Sequence, residues 1–268
     1  MSEFYVHPSS IVSKKARIGE GAWIGPFCMV GSDVEIGERT RLEGYVRLLE
    51  HVRIGKSCRI CENVVLGGEP QDHAFKGERS FVVIGDGVIL RENVTVHRGS
   101  GADSVTSIGS GTWMMVGSHA GHNSTVGENC ILANGVALAG YSSVGDGSVL
   151  GGMSGLHQFV RVGRYCMIGG LTKVVRDIPP FTLADGHPAR IYGLNVIGLR
   201  RNGFSQEQRL AVKRTYRDLF DPSSLMKESV ARLEGNTPDD PNVIEILDFV
   251  RNSRRGITPW GERRERDD

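Results

Sequence analysis

The stretch SHAGHNSTVG, residues 118–127, sets His119 and His122 three positions apart among small residues. Imidazole titrates near neutral pH, so histidine is the side chain best suited to take a proton from a weak nucleophile. Three chemistries fit the pair: a metal site, a catalytic base with a helper, or two polar side chains on a turn. No Glu or third ligand stands at useful spacing, which argues against the metal. A second motif, CRIC, holds Cys58 and Cys61 at the spacing of a metal or redox pair, but no second pair completes a zinc site. The choice among these readings depends on the elements that position the residues.

Global composition narrows the setting. The 268 residues carry 32 basic and 31 acidic side chains, a formal net charge of +1, so no overall field draws the chain to nucleic acid. No apolar run approaches the ~18 residues that span a bilayer. The start, MSEFYVHPSS, lacks the basic-then-apolar pattern of a secretory signal, and a cytoplasmic protein is expected. Five cysteines without a disulfide framework agree with a reducing compartment.

A repeat supplies the framework. Of the 28 positions divisible by six between 12 and 174, 24 are Val, Ile, Leu or Met. The exceptions are Asp72, Glu78, Ala102 and Ala120. Neither the 3.6-residue period of a helix nor the alternation of a single strand gives a strict six. A hexapeptide repeat predicts a parallel β-helix in which each hexad makes a short strand and a corner, three hexads close a coil, and residues eighteen apart stack. The position after the aliphatic residue is Gly in 14 of the 28 hexads, and a corner needing φ > 0 would select it. Cys28, Cys58, Cys130 and Cys166 all fall four places after an aliphatic position, where small residues recur, so they read as buried core.

The frame breaks at residues 67–81 and 97–107, polar and Gly-rich, which are predicted to project as loops from one side of the solenoid. The β-helix is assigned to residues 1–178. A connecting segment with Pro179, Pro180 and Pro188 and a small C-terminal helical domain are assigned to 179–268. Ser205 and Gln208 form a capping box before one helix, and Asp240 with Pro241 starts another. These helices are placed to cap the last coil. The charged tail, RNSRRGITPWGERRERDD, is predicted to fray.

Eight motifs follow in one order: VHPSSIVS, PQDHAFKGE, VTVHRGS, HAGHNSTVG, ILANGVALAG, GGMSGLHQFVRVG, DIPPFTLADGHPA and GLNVIGLRRNGFS. Together the chain resembles the acyl-carrier-protein-dependent UDP-N-acetylglucosamine O-acyltransferases, the first enzymes of lipid A synthesis. The resemblance covers nearly the whole chain. It implies a left-handed β-helix, a homotrimer with active sites in clefts between subunits, and no metal or other cofactor. The implied reaction moves a fatty acyl group, often 3-hydroxylated, from the phosphopantetheine thioester of acyl carrier protein to the 3-hydroxyl of UDP-N-acetylglucosamine.

Carried onto this sequence, the resemblance makes His122 the general base and His119 a substrate contact, with His97 beside them. Gly140, eighteen residues after His122 and so one coil further, would offer its N–H to the tetrahedral oxyanion. Asp72 would face the hexose, and Lys76 would reach across toward the sugar nucleotide in place of a family lysine. His157, Gln158, Asn195 and Arg201 would meet the sugar nucleotide, the guanidinium suiting a diphosphate. Gly169 and Gly170 would leave room along the acyl groove, nearer fourteen carbons than ten. Arg161, Arg164, Lys173 and Arg176 form a basic cluster that either receives the acidic carrier protein or is solvated surface.

Four positions depart from the family pattern. Asn123 stands where an Asp usually follows the catalytic histidine; it orients an imidazole without adding charge. Tyr141 replaces a histidine as a substrate contact, keeping a hydrogen-bonding tip but not the charge; Ala74 replaces a lysine and Ile197 a glutamate. The HN pair and GRYCMIGG resemble a sibling N-acyltransferase, but hexads that begin at Val12 leave no room for that enzyme's uridine-binding domain. Two alternatives stay open: a 3-amino sugar as acceptor, and a non-catalytic trimer that binds sugar nucleotide or carrier protein.

Overall fold

The computed structural model describes residues 3–236 and 240–261. The aliphatic residue of each hexad points into a narrow prism, and Ile24, Leu42, Ile60 and Leu90 begin one fully buried column. Strands mostly two residues long build three sheets of 11, 9 and 8 strands, in which neighbours are three strands apart in sequence except at the C-terminal end of the first sheet. The first sheet starts at Tyr5–Val6, the second at Ile11–Val12 and the third at Arg17–Ile18. Each coil visits them in that order, and the ladders between coils are parallel, with Tyr5 opposite Trp23 and Trp23 opposite Arg41. The chain is a left-handed parallel β-helix followed by helices. Ala120, an apparent exception to the aliphatic frame, occupies its inner position with no exposure.

The corner glycines have a different cause from the one expected. Of the fourteen glycines that follow an inner residue, only Gly67 has φ > 0. At all the others but Gly31, adjacent coils approach too closely for a side chain. A Cβ on Gly25 would fall 1.7 Å from Glu43 O, and one on Gly37 would fall 2.4 Å from Gly55 O. The left-handed conformation occurs two residues later, where Phe27 (φ 57°), Asn123 (59°), Tyr141 (60°) and Phe159 (67°) adopt it despite their side chains. These side chains stand outside the prism and stack from coil to coil, as Phe27 does on Tyr45 with centroids 5.0 Å apart.

All five cysteines are buried and free. At their corners they act like Ser and Thr: Cys58 donates to Gly85 O at 3.1 Å, one coil above Thr40, which donates to Gly55 O at 2.7 Å. Cys61 lies near Glu62 and Glu92, at a corner between the first and second sheets, and Glu92 is already held by two hydrogen bonds from Arg91.

The segment read as a connection carries a hairpin. Thr182–Gly186 adds to the first sheet beside Met167–Ile168, and Ala189–Leu194 pairs with it antiparallel. Four helices follow: α1 (Val196–Arg201), α2 (Gln206–Leu219), α3 (Met226–Asn236) and α4 (Pro241–Arg251). The Ser205–Gln208 capping box and the Asp240 cap with Pro241 form as expected. A second core of Phe181, Leu199, Val212, Tyr216, Leu219 and Ile246 seals the end of the prism, with Tyr216 Oη donating to Pro180 O at 2.6 Å.

The tail does not fray over its described part. Ile257 bridges to Asp177 and Trp260 to Ile191. Buried Asp177 accepts from Arg161 N and Ser253 Oγ, each at 2.8 Å, and its own N–H donates to Gly256 O at 2.9 Å. Residues 262–268 of the tail lie outside the described residues.

Candidate active site

His122 and Asn123 occupy a corner between the second and third sheets, after His119–Ala120 and before Thr125–Val126. Both frame breaks leave the prism at this same corner, two and one coils earlier. Thr95 pairs with Val65 at a spacing of 30 residues and with His119 at 24, where Ala137 pairs with His119 at 18. The extra residues form two loops that rise beside His122. Tyr141 and Phe159 follow at the same corner one and two coils later, stacked at 4.9 Å.

The imidazole of His122 is 6% exposed and fixed on one side. Its Nδ1 lies 2.9 Å from Asn123 Oδ1. The orientation of that amide is determined by Ser100, whose N–H donates to Asn123 Oδ1 at 2.8 Å and whose carbonyl accepts from Asn123 Nδ2 at 3.2 Å. A backbone N–H only donates and a carbonyl only accepts, so the amide has one satisfied orientation. Its oxygen therefore faces Nδ1, and the neutral imidazole carries its proton there. Nε2 is left with a lone pair. It points toward Gly140, where a Cβ would fall 2.4 Å from it. Among the described residues the Gly140 N–H finds no acceptor. The Tyr141 ring stands edge-on to the imidazole at 5.2 Å and its N–H donates to His122 O at 3.0 Å.

The loops are tied to each other and to the prism. Arg98 lies over Phe75 at 5.0 Å and 3.8 Å from Glu69, while Asp103 N donates to Arg79 O at 2.7 Å. Arg79 also reaches Asp33 at 3.4 Å, which His51 and Arg53 hold well below the usual carboxylate range, at about 2. At the tip, Asp72 Oδ1 accepts from Ala74 N at 2.9 Å and Oδ2 from Ser100 Oγ at 2.7 Å. These two bonds lower its pKa and keep it ionised as an acceptor.

Two further imidazoles line the same side. His97 and His119 meet edge to face at 4.9 Å, and His119 Nδ1 lies 2.8 Å from Thr95 Oγ1. Burial lowers both, with His97 adding to the effect on His119, which falls to about 4. Both are neutral near pH 7.

The remaining expected residues sit at different distances from this centre. His157 and Gln158 lie at the same corner two coils on, with His157 Nδ1 3.2 Å from Arg255 Nη2. The Asn195 side chain caps α1, accepting from Gly198 N at 3.1 Å and donating to Tyr165 O at 2.9 Å. Arg201 is exposed in the last turn of α1, and Lys76 is exposed beside Glu78. Gly169 and Gly170 follow Met167–Ile168, at the corner between first and second sheets. They share no wall with His122 within one chain. Gly169 also has a local requirement, since a Cβ would meet Asp185 Oδ1 at 2.5 Å. In the basic cluster, Arg161 and Arg164 are engaged with Asp177, Glu245 and Asn242, whereas Lys173 and Arg176 are exposed.

Comparisons with known proteins agree with this architecture. A family profile described as "Udp N-acetylglucosamine O-acyltransferase; Domain 2" matches residues 177–258, and one for bacterial transferase hexapeptides matches 15–49. An acyl-[acyl-carrier-protein]–UDP-N-acetylglucosamine O-acyltransferase of Thermodesulfovibrio yellowstonii is 43% identical over 253 residues, 94% of this chain and 98% of its own. The chain belongs to the UDP-N-acetylglucosamine O-acyltransferase family. Two solved members superpose closely. The enzyme of Francisella novicida is 35% identical, covering 95% of this chain and 94% of its own, at a TM-score of 0.92. The enzyme of Arabidopsis is 30% identical, covering 95% and 100%, at 0.84.

Within this acyltransferase family the four departures now have surroundings. Asn123 orients His122 through its carbonyl oxygen, Tyr141 packs on the imidazole, Ala74 supplies its N–H to Asp72, and Ile197 is 66% exposed. Sequence reasoning missed Ser100, Thr95 and Phe159. Phe159 was accessible from the eighteen-residue period, one coil after Tyr141. Ser100 was not, because its partner Asp72 is 28 residues away on another loop, off the repeat.

Proposed function

We propose that this protein transfers a (3-hydroxy)fatty acyl group from acyl carrier protein to the 3-hydroxyl of UDP-N-acetylglucosamine, the first step of lipid A synthesis. Membership of the acyltransferase family supports the reaction class. The observation that carries the mechanism is the contact of His122 Nδ1 with Asn123 Oδ1, which leaves Nε2 facing an open Gly140 corner. In this reading His122 takes the proton of the sugar hydroxyl as its oxygen attacks the thioester carbonyl. The Gly140 N–H receives the oxyanion. Collapse expels the phosphopantetheine thiolate, which takes the proton back from the imidazolium, leaving an ester and free carrier thiol. Neutral His119 and His97, with Asp72, line the acceptor side. His157 and Gln158 continue the same wall, and Arg201 and Asn195 extend it toward the nucleotide.

The groove is completed by a neighbouring copy in a homotrimer. This accounts for Gly169 and Gly170 standing at another corner: one chain supplies the base and the next the acyl wall. On α2, exposed Lys213, Arg214 and Arg217 complement an acidic carrier protein better than the engaged Arg161 and Arg164 do. No helix among the described residues is long and apolar enough to cross a membrane, and the acyl donor places the work in the cytoplasm.

The test is turnover by purified protein with UDP-N-acetylglucosamine and a series of hydroxyacyl carrier proteins. Ester product bears the proposal out. Product only with a 3-amino sugar redirects the acceptor, and no product with any donor leaves a binding protein.

A further inference from the structure

Ser100 touches two groups that serve different parts of the reaction. Its main chain clamps the Asn123 amide, and its hydroxyl donates to Asp72 Oδ2 at 2.7 Å. The chain around it is shaped to present it. A Cβ on Gly99 would fall 2.3 Å from Ser104 Oγ, and Gly101 has φ +101°, so neither neighbour tolerates a side chain. The residue itself is 8% exposed. The other oxygen of Asp72 is held within its own loop by Ala74 N. The Ser100 hydroxyl is therefore the hydrogen bond, among the described residues, that ties this carboxylate to the loop clamping the base.

We propose that Ser100 is a positioning residue for acyl transfer: its hydroxyl holds the Asp72 carboxylate toward the acceptor sugar while its main chain fixes the tautomer of His122. The proposal rests on His122 as base and Asp72 as the hexose contact. It goes further in assigning the joint between them. The two duties are separable, because substitution at Ser100 removes the hydroxyl and leaves the backbone clamp on Asn123. Loss of the hydroxyl leaves the carboxylate held by Ala74 N alone, which weakens capture of the sugar without changing the base.

Steady-state kinetics of Ser100→Ala, Ser100→Cys and Ser100→Thr, with UDP-N-acetylglucosamine and a hydroxyacyl carrier protein, test this. Removing a hydrogen bond to a charged group is expected to raise KM for the sugar nucleotide about tenfold in the Ala and Cys variants. Their kcat and the pH profile of kcat/KM stay near wild type. Threonine restores KM, and adding Ser100→Ala to Asp72→Ala costs little more than Asp72→Ala alone. An unchanged KM in both Ala and Cys variants overturns the proposal. So does a shifted pH profile, or additive losses in the double variant. His122→Ala run in parallel separates the two readings: full activity there removes the base, while the KM effect at Ser100 stands or falls by itself.

Discussion

A Cβ placed on Gly140 would sit 2.4 Å from His122 Nε2, so the absence of a side chain there is what leaves the proposed base open. Substituting alanine forces the imidazole aside or covers its lone pair. Gly140→Ala is expected to lower kcat/KM at least ~10²-fold, the order a positioned base contributes. A variant that remains folded by circular dichroism and turns over normally would refute the role of this corner.

His122→Ala removes the proposed base, and a loss of at least ~10²-fold in kcat is expected. Near-normal turnover would show that the proton leaves by another route.

Asn123 fixes the tautomer of His122 but adds no charge. Asn123→Asp places a carboxylate beside the imidazolium, which favours the charged form and raises the histidine pKa. The acid limb of kcat/KM against pH is expected to move to higher pH, with kcat increased. Asn123→Leu keeps the volume and loses the acceptor, so it should fall well below wild type. Identical pH profiles for Asn and Asp would show that position 123 is electrostatically indifferent.

Burial holds His119 at about 4 and lowers His97, against an ordinary value near 6.5. The unfolded chain therefore binds these protons first. The stabilisation from their neutral forms is complete above about pH 6.5 and is lost as pH falls toward about 4. Tm is expected to fall over that window, and to fall less in His119→Gln. A flat Tm in the wild type from pH 6.5 to 5 would contradict it.

Burial pushes the thiols upward, Cys130 to about 11 and Cys166 to about 12, with Cys28, Cys58 and Cys61 also raised. An aromatic disulfide reagent is expected to find no reactive thiol in the native protein and five after unfolding. Rapid native labelling of any one would be at odds with their burial.

Most of this fold was written in positions divisible by six, because an inward side chain stacked on an inward side chain leaves a periodic record. That period alone brings His122, Gly140 and Tyr141 together. It misled over the corner glycines, since composition records that a glycine is needed and not whether φ or a neighbouring coil requires it. Asn195 has a local duty that its motif position does not reveal: its amide caps α1. The hairpin at Thr182–Leu194 and the ordered arm ending at Trp260 depend on partners far along the chain, and nothing local announces them. Ser100 belongs to the same class.

The helices close only one mouth of the solenoid. At the other, Val6, Val12 and Ile18 are inner residues that stay half-buried because no described coil lies beneath them. Such a stack has a weak end and a strong end, and its stability is a sum of rung-to-rung interfaces. Amide exchange should therefore run as a front, quickest near Ile11 and slowest beneath Phe181, with the His122 corner lying upstream of the last rungs to open.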